Sequence, residues 1–330
     1  MIIVTGGAGF IGSNLVAALE EKLGPDGPDL VVVDRLGTGD KWKNIAKRDL
    51  AAIVAPEDFL DFLEDHRTEV DTIFHLGAIS STTERDADLI VRENIDLPLY
   101  LWEWCRRHDT RLIYASSAAT YGDGNQGFDD DWSREGLAKL RPMNAYGWSK
   151  HAFDRRAVRM AQSRNHPPQW VGLKFFNVYG PNEYHKGSMK SVVAQITPKI
   201  ASGETAKLFK SHRPDYEDGG QLRDFVFVDD CVSVMLWLYD SPDVKGLFNL
   251  GTGVARSFAD LAHAVFLALE QVPRIDYIDI PEEIRDRYQY FTQASMERLR
   301  NAGYPGQFTS LEEGVRRYVQ DFLMQEDPYR

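Results

Sequence analysis

The 330-residue sequence contains only two cysteines, no long apolar run and no excess of positive charge. Cys105 and Cys231 lie in apolar helical patterns without metal-ligand spacing, so we interpret them as buried free thiols and predict no metal site. The lack of about 20 consecutive apolar residues argues against a membrane span. The first residues show neither a basic segment nor a small-residue cleavage site. We therefore expect no signal peptide and a protein of the reducing cytoplasm.

The balance of charge is acidic, with 38 lysines and arginines against 50 aspartates and glutamates and a formal charge of −12. This charge argues against nucleic-acid and membrane-surface partners, because both are polyanions. An anionic small molecule stays compatible, since local basic side chains dominate the field inside a pocket. The length exceeds what one core usually needs, so we predict a large domain and a smaller, interleaved one.

A glycine-rich turn follows the apolar residues 2–4 and precedes an amphipathic helical pattern over 13–22. Its glycines fit G-x-G-x-x-G at positions 7, 9 and 12, and the looser G-x-x-G-x-x-G at positions 6, 9 and 12. Such a turn lets the backbone approach a pyrophosphate closely and points a helix N-terminus at it. Glycine-rich turns are common, but the order of strand, turn and helix favours dinucleotide binding.

Asp34 and Arg35 follow the next predicted strand, residues 30–33, and bear on the choice of cofactor. An acidic side chain here accepts hydrogen bonds from the adenosine ribose hydroxyls, which favours NAD. An adjacent arginine can clamp a 2′-phosphate, which favours NADP, or stack on the adenine. Lys41 in the following loop either adds positive charge there or is simply solvated. These residues alone leave both cofactors open.

Tyr146 and Lys150 are four residues apart, so on a helix both side chains leave the same face. An ammonium near a phenol favours the phenolate, so we expect Lys150 to lower the pKa of Tyr146 and make it a proton acceptor. The same spacing arises by chance on many helices. It gains weight because Ser117 ends the predicted strand 111–117, and ligands of doubly wound sheets bind at the carboxyl ends of strands.

The remaining segments give weaker signals. His75 falls within the apolar strand 71–78, so we interpret it as a hydrogen-bonded core residue. Asn94 on the next helix either anchors a loop near the cofactor or is an ordinary exposed residue. We also expect a long polar loop over 122–143, a break in strand structure at 177–181, irregular chain over 203–223, and a mostly helical tail from about 255 with a strand at 277–280.

The glycine turn and the serine–tyrosine–lysine set together resemble the extended short-chain dehydrogenase/reductase family of nucleotide-sugar enzymes, over nearly the whole chain. The resemblance implies an α/β fold, a Rossmann-type doubly wound parallel sheet with a smaller, interleaved C-terminal α/β substrate domain. The implied NADP-binding domain comprises residues 1–176 and 225–256, and the substrate-binding domain comprises residues 177–224 and 257–330. In that family the serine and tyrosine hold the substrate hydroxyl, and the lysine holds the nicotinamide ribose.

A narrower resemblance is carried by residues 115–122, 176–181 and 185–189, whose sequences are ASSAATYG, FNVYGP and HKGSM. These segments resemble the ADP-L-glycero-D-manno-heptose 6-epimerase family, in which HKGSM is distinctive. Residues 80–84 and 288–294 resemble it as well. The resemblance implies an ADP-heptose substrate, bound NADP with NAD as the alternative, and a role in lipopolysaccharide core synthesis in Gram-negative bacteria. It also implies a homo-oligomer, specifically a homopentamer.

The narrower resemblance also implies two groups of site residues. The cofactor-binding residues are Gly6, Gly9, Phe10, Ile11, Gly12, Asp34, Arg35, Lys41, Leu76, Gly77, Ala78, Ile79, Ser80, Asn94, Lys150, Val178 and Lys186. The substrate-binding residues are Ser117, Asn177, Ser188, Gln195, Phe209, Lys210, Ser211, His212, Arg223 and Tyr288. The sequence departs from the family at Gln195, where a histidine is common, and at Pro56, where a lysine can face the cofactor.

The implied reaction gives a second base a purpose. Carbon 6 of the heptose carries a carbinol hydrogen with no neighbouring carbonyl, so its direct deprotonation is too costly at neutral pH. Removing it as hydride gives an aldehyde that can rotate and take the hydride back on its other face. Tyr146 and Lys186 would each serve the oxygen in one orientation, with Ser117 and Lys150 assisting. The alternative role for Lys186 is to bind a phosphate.

Other functions use parts of the same residue set. A UDP-sugar 4-epimerase of this fold needs the same serine, tyrosine and lysine and is the main alternative. A 4,6-dehydratase needs an acidic pair soon after the strand hydroxyl, where this sequence has Ala118 and Ala119, so we disfavour it. A non-catalytic NADP(H)-sensing protein has no need of the complete Ser117, Tyr146 and Lys150 set, so the set favours an enzyme.

Overall fold

A parallel sheet of seven strands forms the centre of the computed structural model, which describes residues 1–285 and 288–330. The strands are β1 Ile2–Thr5, β2 Leu30–Val33, β3 Ala52–Val54, β4 Thr72–His75, β5 Arg111–Ser117, β6 Trp170–Phe175, β7 Asn177–Tyr179, β8 Ala206–Phe209, β9 Leu222–Phe227, β10 Gly246–Leu250, β11 Ala255–Ser257 and β12 Ile275–Ile278. The central sheet has the order β10-β6-β5-β4-β1-β2-β3, with parallel neighbours throughout. The strand order reverses beside β1, where doubly wound folds bind ligands. The predicted Rossmann-type fold is confirmed.

Helices connect these strands and cover both faces of the sheet. They are α1 Phe10–Leu23, α2 Phe59–Asp65, α3 Ala87–Val91, α4 Leu97–Arg107, α5 Arg134–Lys139, α6 Ala145–Gln162, α7 Val192–Ala201, α8 Val228–Asp240, α9 Phe258–Ala268, α10 Glu282–Arg285, α11 Glu297–Asn301 and α12 Leu311–Tyr318. Short 3₁₀ or π turns occupy Asp40–Asn44, Arg92–Asp96, Ala118–Tyr121, Tyr184–Met189 and Val319–Leu323.

The central strands are apolar on both faces because each face packs against helices. On one side, Trp102 of α4 and Phe153 of α6 are fully or almost fully buried in a core that also includes Ile73 of β4. On the other side, Leu15 of α1 and Met235 of α8 form the second core. The indole of Trp102 also donates to a backbone carbonyl at 3.0 Å. Its truncation to alanine would therefore cost roughly 3–5 kcal/mol of stability.

Both cysteines lie in these cores. Cys105 of α4 and Cys231 of α8 are free and completely buried, as predicted. Burial raises the pKa of both thiols above the ordinary range, so neither carries a reactive thiolate at neutral pH. In residues 1–285 and 288–330, no helix combines the length and the apolar character that crossing a membrane requires.

A second region is built on two small sheets and its own core. The strands β11, β9 and β7 form one sheet, in which β9 and β7 are parallel, and β12 pairs with β8 in the other. Phe227 of β9 and Val265 of α9 are completely buried in this core. The central sheet contains β1–β6 and β10, while the small sheets take the remaining strands. The division of the chain into two domains stays a prediction.

Four expectations about this region, the tail and the loop before α6 are wrong in part. The chain over 203–223 is not wholly irregular, because β8 lies there. Residues 177–181 do not break the strand pattern as expected, because β7 lies there and pairs with β9. The predicted loop over 122–143 contains the helix α5. The small-sheet strands are short and their partners lie far along the chain, so local patterns carry little sign of them. In the tail, the predicted strand begins two residues early, at Ile275, and the described residues 269–281 and 288–296 contain no helix.

Candidate active site

The turn between β1 and α1 is shaped as a cradle. Gly6 has a φ of +66°, and a Cβ there would lie 2.7 Å from the backbone nitrogen of Gly77. A Cβ at Gly12 would lie 2.1 Å from the carbonyl oxygen of Gly6. Gly9 precedes α1 without any side-chain cap, so the first amides of the helix are open to the cleft. Only glycine permits this close backbone approach, and the cradle fits the pyrophosphate of a dinucleotide.

Asp34 sits just beyond β2, beside this turn. Its carboxylate accepts a hydrogen bond from the Ala8 amide at 3.0 Å and pairs with the Lys41 amine at 2.5 Å. The guanidinium of Arg35 pairs instead with Glu57, through Nε at 2.8 Å. Both of these side chains are mostly exposed. The acidic residue, the arginine and the lysine therefore lie together around one cavity beside the glycine turn.

A cleft of about 350 Å³ extends from the glycine turn across the carboxyl ends of β1, β4 and β5. The predicted residues that line it are Gly6, Gly9, Phe10, Ile11, Gly12, Asp34, Lys41, Leu76, Gly77, Ala78, Ser80, Ser117, Tyr146, Lys150, Val178 and Lys186. An adjoining cavity of about 220 Å³ adds Arg35, Pro56 and Ile79.

The serine and the tyrosine meet because α6 begins close to the end of β5. Asn144 starts the helix, and its Oδ1 accepts from the Gly147 amide at 2.8 Å. A Cβ at Gly147 would lie 2.6 Å from the Ala119 carbonyl oxygen, so this turn of α6 packs directly on the chain that follows Ser117. Tyr146, in this first helical turn, is thereby placed against the end of β5.

Burial sets the protonation of Tyr146 and Lys150. It lowers the pKa of Lys150 to about 8, with Asp154 acting in the opposite direction. Burial raises the pKa of Tyr146, and a hydrogen bond with Ser117 only partly opposes it. The expectation that Lys150 makes Tyr146 more acidic than a free tyrosine is thus wrong for this structure. The cause is that removing a phenolate from water outweighs the neighbouring polar groups.

Two side chains near the pair have structural roles. His75 is 2% exposed and its Nδ1 lies 2.8 Å from the Thr5 hydroxyl, which confirms the predicted core histidine. Burial and the charge of Lys150 lower its pKa to about 3, so it is neutral. Asn94 is 1% exposed, accepts from the Ile79 amide at 2.9 Å and donates to the Ile79 carbonyl. Asn94 is therefore a loop anchor and not an ordinary exposed residue, and the loop that it holds lies beside the cleft.

Lys186 enters the cleft from the Tyr184–Met189 turn. Its amine lies 5.3 Å from the centre of the Phe10 ring, and burial lowers its pKa, with Glu183 opposing. Gln195 holds this turn in place, because its amide donates to the carbonyls of Ser188 at 3.3 Å and Lys190 at 2.6 Å. Gln195 and Ser188 therefore shape the turn and are absent from the cleft lining.

The chain matches the model of the NAD dependent epimerase/dehydratase family over residues 2–251. This chain belongs to that family. It is 49% identical to the ADP-L-glycero-D-manno-heptose-6-epimerase of Nitratidesulfovibrio vulgaris and 44% identical to that of Fusobacterium nucleatum, each over 100% of both chains. The crystal structure of the Helicobacter pylori enzyme of that name superposes with a TM-score of 0.78 at 29% identity, covering 97% of this chain and 95% of the other.

In this member of the epimerase/dehydratase family, part of the predicted substrate set forms a separate cluster. The guanidinium carbon of Arg223 lies 5.5 Å from the centre of the Tyr288 ring. The Phe209 ring meets the Tyr288 ring edge-on, with 5.8 Å between the ring centres. The His212 amide donates to the Tyr290 hydroxyl at 2.9 Å. These contacts join three distant segments of the chain into one polar and aromatic cluster, in which Arg223 is buried.

Three other predicted substrate residues, Lys210, Ser211 and Asn177, make their contacts outside the cleft. Lys210 pairs with Asp279 at 3.5 Å on the surface, and the Ser211 amide donates to Asp218 at 2.8 Å. Asn177 is exposed, and its Oδ1 lies 3.5 Å from the Thr292 hydroxyl. None of these three side chains lines the cleft around Tyr146.

Several residues of the cleft are absent from the sequence-based site set. Ala115, Ser116, Phe175, Phe176, His185 and Met189 line it. The Nδ1 of His185 lies 3.2 Å from the Asn44 amide, and burial lowers the pKa of this histidine to about 4. Because His185 and Met189 flank Lys186 in the HKGSM element, that element carried a signal for both.

Proposed function

We propose that this chain is an ADP-L-glycero-D-manno-heptose 6-epimerase, which inverts C6 of the sugar from the D-glycero to the L-glycero configuration. The observation that carries the proposal is that Ser117, Tyr146 and Lys186 line the same cleft as the glycine turn. Two hydroxyl groups and a second amine thus face one space beside a dinucleotide cradle. Full-length relatives at 44% and 49% identity with that name support the choice of sugar.

The side chains divide the proton chemistry between two positions. A nicotinamide cofactor bound in the cleft supplies the hydride acceptor and donor that C6 inversion needs. Ser117 and Tyr146 hold the C6 oxygen in one orientation, and Tyr146 exchanges its proton. Lys186 serves the oxygen in the other orientation, where its lowered pKa makes proton exchange near neutral pH easier. Lys150 holds the nicotinamide ribose and, with a pKa of about 8, is mostly charged at pH 7.

NADP is the proposed cofactor. Arg35 and Lys41 stand beside Asp34 where the adenosine ribose would lie, and together they offer two cations to a 2′-phosphate. Arg35 is paired with Glu57, but both side chains are more than half exposed. Such a pair contributes about 0–1 kcal/mol and is easily exchanged for a phosphate.

The surroundings fit a nucleotide-sugar substrate. Arg223 and Tyr288, with Phe209 beside them, offer a cation and aromatic faces to the ADP portion, and Asn177, Lys210, Ser211 and His212 belong to the same proposed surface. We place the enzyme in the cytoplasm, in agreement with its two free thiols. We further propose that it is a homopentamer that supplies lipopolysaccharide core synthesis.

An NMR assay of stereochemistry tests this function. The purified protein is incubated with the ADP-D-glycero and ADP-L-glycero heptoses, and with UDP-glucose as the competing substrate class. Interconversion at C6 of the heptose, with no exchange at C4 of the UDP-sugar, is the expected result. Inversion at C4 of UDP-glucose alone would make the chain a 4-epimerase. Cofactor binding without turnover of any sugar would favour the sensing role.

A further inference from the structure

A groove between α5 and α6 is lined by a concentration of arginines that the epimerase reaction does not use. Its volume is about 420 Å³, and Arg134 of α5 and Arg155, Arg156 and Arg159 of α6 line it above a floor that includes Leu137. A second hollow of about 230 Å³ adjoins it and shares Arg156 and Arg159. Positions 155, 156 and 159 lie on one face of the helix, because residues three and four apart are neighbours there.

These four guanidiniums have no partner in the part of the chain that the structure describes. In residues 1–285 and 288–330, no salt bridge and no hydrogen bond is made by the guanidinium of Arg134, Arg155, Arg156 or Arg159, and the Ser163 hydroxyl reaches only the backbone carbonyl of Arg159. Arginines elsewhere on the surface are commonly paired: Arg106, for example, makes two hydrogen bonds to Glu103 at 3.0 and 2.7 Å.

The cluster is unusual for the charge of the molecule. The chain carries a formal charge of −12, yet four like charges converge on one groove. Like charges at i,i+4 spacing destabilise a helix, so this arrangement has a cost that a bound anion would remove. The planar fork of arginine matches phosphate oxygens in pairs. Arg156 and Arg159 line both hollows, so the two hollows offer two neighbouring positions for phosphate groups.

We propose that this groove binds a small molecule bearing two or more phosphate groups, at a site separate from the catalytic cleft. The concave shape and apolar floor suit a compact ligand rather than an extended polymer. The acidic remainder of the chain would repel a nucleic acid. The site lies on the helix that carries Tyr146 and Lys150, with Arg155 about 8 Å of helix rise beyond Lys150. A ligand bound here would therefore contact the same helix that carries Tyr146 and Lys150.

Calorimetric titration with inorganic tripolyphosphate tests the proposal on the purified, cofactor-loaded protein. The groove variant Arg155→Gln/Arg159→Gln removes two unpaired guanidiniums. The control variant Arg106→Gln/Arg107→Gln makes the same change of charge on α4, outside the groove. Thermal melting first establishes that both variants are folded. Any binding in the catalytic cleft is common to all three proteins and cancels in the comparison.

The groove variant should bind tripolyphosphate at least about tenfold more weakly, and the control within about twofold of the unaltered protein. ATP is titrated in the same way. If ATP binds more tightly than tripolyphosphate, the site is assigned to nucleotides; if the two bind equally, it is assigned to the phosphate chain alone. Equal losses in the two variants, unaltered binding in the groove variant, or no saturable binding below millimolar concentration would overturn the proposal. Preferential binding of a duplex DNA through the same arginines would replace it by a nucleic-acid site.

Discussion

The amine of Lys174 lies 2.7 Å from the carboxylate of Asp154, and both side chains are at most 1% exposed. The same carboxylate accepts from the hydroxyls of Ser116 at 2.7 Å and Tyr114 at 3.2 Å. Asp154 is one helical turn beyond Lys150, and Ser116 directly precedes the strand's last serine. The pair therefore joins α6, which carries Tyr146 and Lys150, to the strands β5 and β6 that end at the cleft.

Removing the carboxylate charge of Asp154 should destabilise the fold severely. Asp154→Asn leaves the Lys174 ammonium buried without a counter-charge, at a cost of about 3–5 kcal/mol. Urea unfolding measures this change in free energy. Asp240→Asn is the matched control, because Asp240 pairs with Lys22 on the surface at 2.8 Å, where loss of the pair costs about 0–1 kcal/mol. Equal effects of the two substitutions would contradict the buried-pair interpretation.

The phenol of Tyr146 should be needed for turnover but not for folding. Tyr146→Phe keeps the ring and removes the proton-exchanging group, so kcat should fall about 10²–10⁴-fold while cofactor still binds. Tyr277→Phe, at a partly exposed position of β12, controls for the loss of a hydroxyl. Turnover within a few-fold of the unaltered enzyme would remove Tyr146 from the mechanism.

Replacing Lys150 should make the protein more stable and less active. Its folded-state pKa of about 8 is below the ordinary 10.5, so the unfolded chain binds more protons at this site between those pH values. Stability from this site therefore rises with pH across that window, and the cost of burying the charge is fully present below pH 8.

Lys150→Met removes this cost, so it should stabilise the fold by up to about 3 kcal/mol at pH 7. The gain should shrink as pH rises from 8 and vanish near pH 10.5. Thermal melting over this range measures it, with the exposed Lys199→Met as control. A gain that does not change with pH would mean that better packing, not charge burial, is responsible.

Lys186 should affect turnover rather than binding alone. Lys186→Met keeps an unbranched side chain but removes the amine, so kcat at saturating sugar nucleotide should fall strongly. The two C6 epimers should also respond differently to Lys186→Met and to Tyr146→Phe, because each base serves one orientation. Cofactor occupancy is measured in each variant. A raised KM with normal kcat would instead identify Lys186 as a phosphate-binding residue.

The pair of Arg35 and Glu57 should tune the choice of cofactor. Arg35→Ala should weaken NADP more than NAD, since only NADP presents a phosphate to the guanidinium. Glu57→Gln should do the reverse and strengthen NADP relative to NAD, because it frees Arg35 from its carboxylate partner. Fluorescence titration with both cofactors measures each ratio. Equal losses for NADP and NAD in Arg35→Ala would show that Arg35 only stacks or packs.

Local sequence patterns predicted the features that depend on neighbouring residues. The cradle needs glycine at positions 6 and 12 for steric reasons, and that requirement is visible in the spacing. The proximity of Tyr146 to Lys150 follows from the helical period in the same way. The Rossmann-type sheet followed from the order of these patterns and from the family resemblance.

Features that depend on distant segments were not accessible in this way. Asp154 sits in a helix with ordinary charge patterning, and Lys174 lies in an apolar strand, so no local signal joins them. The raised pKa of Tyr146 reflects burial, which spacing alone does not show. The family resemblance placed Arg223 and Tyr288 in one substrate-binding set, but no local pattern predicted their contact, because the two residues come from separate parts of the chain.

The complete burial of Cys105 and Cys231 makes the protein a suitable background for thiol-directed labelling. A cysteine introduced at Met189, which is 42% exposed in the turn that carries Lys186, would react with maleimide reagents far faster than either native thiol. A fluorophore or nitroxide attached there would report the movement of this turn during turnover. The packing of the two cores thus permits time-resolved spectroscopy without first removing native cysteines.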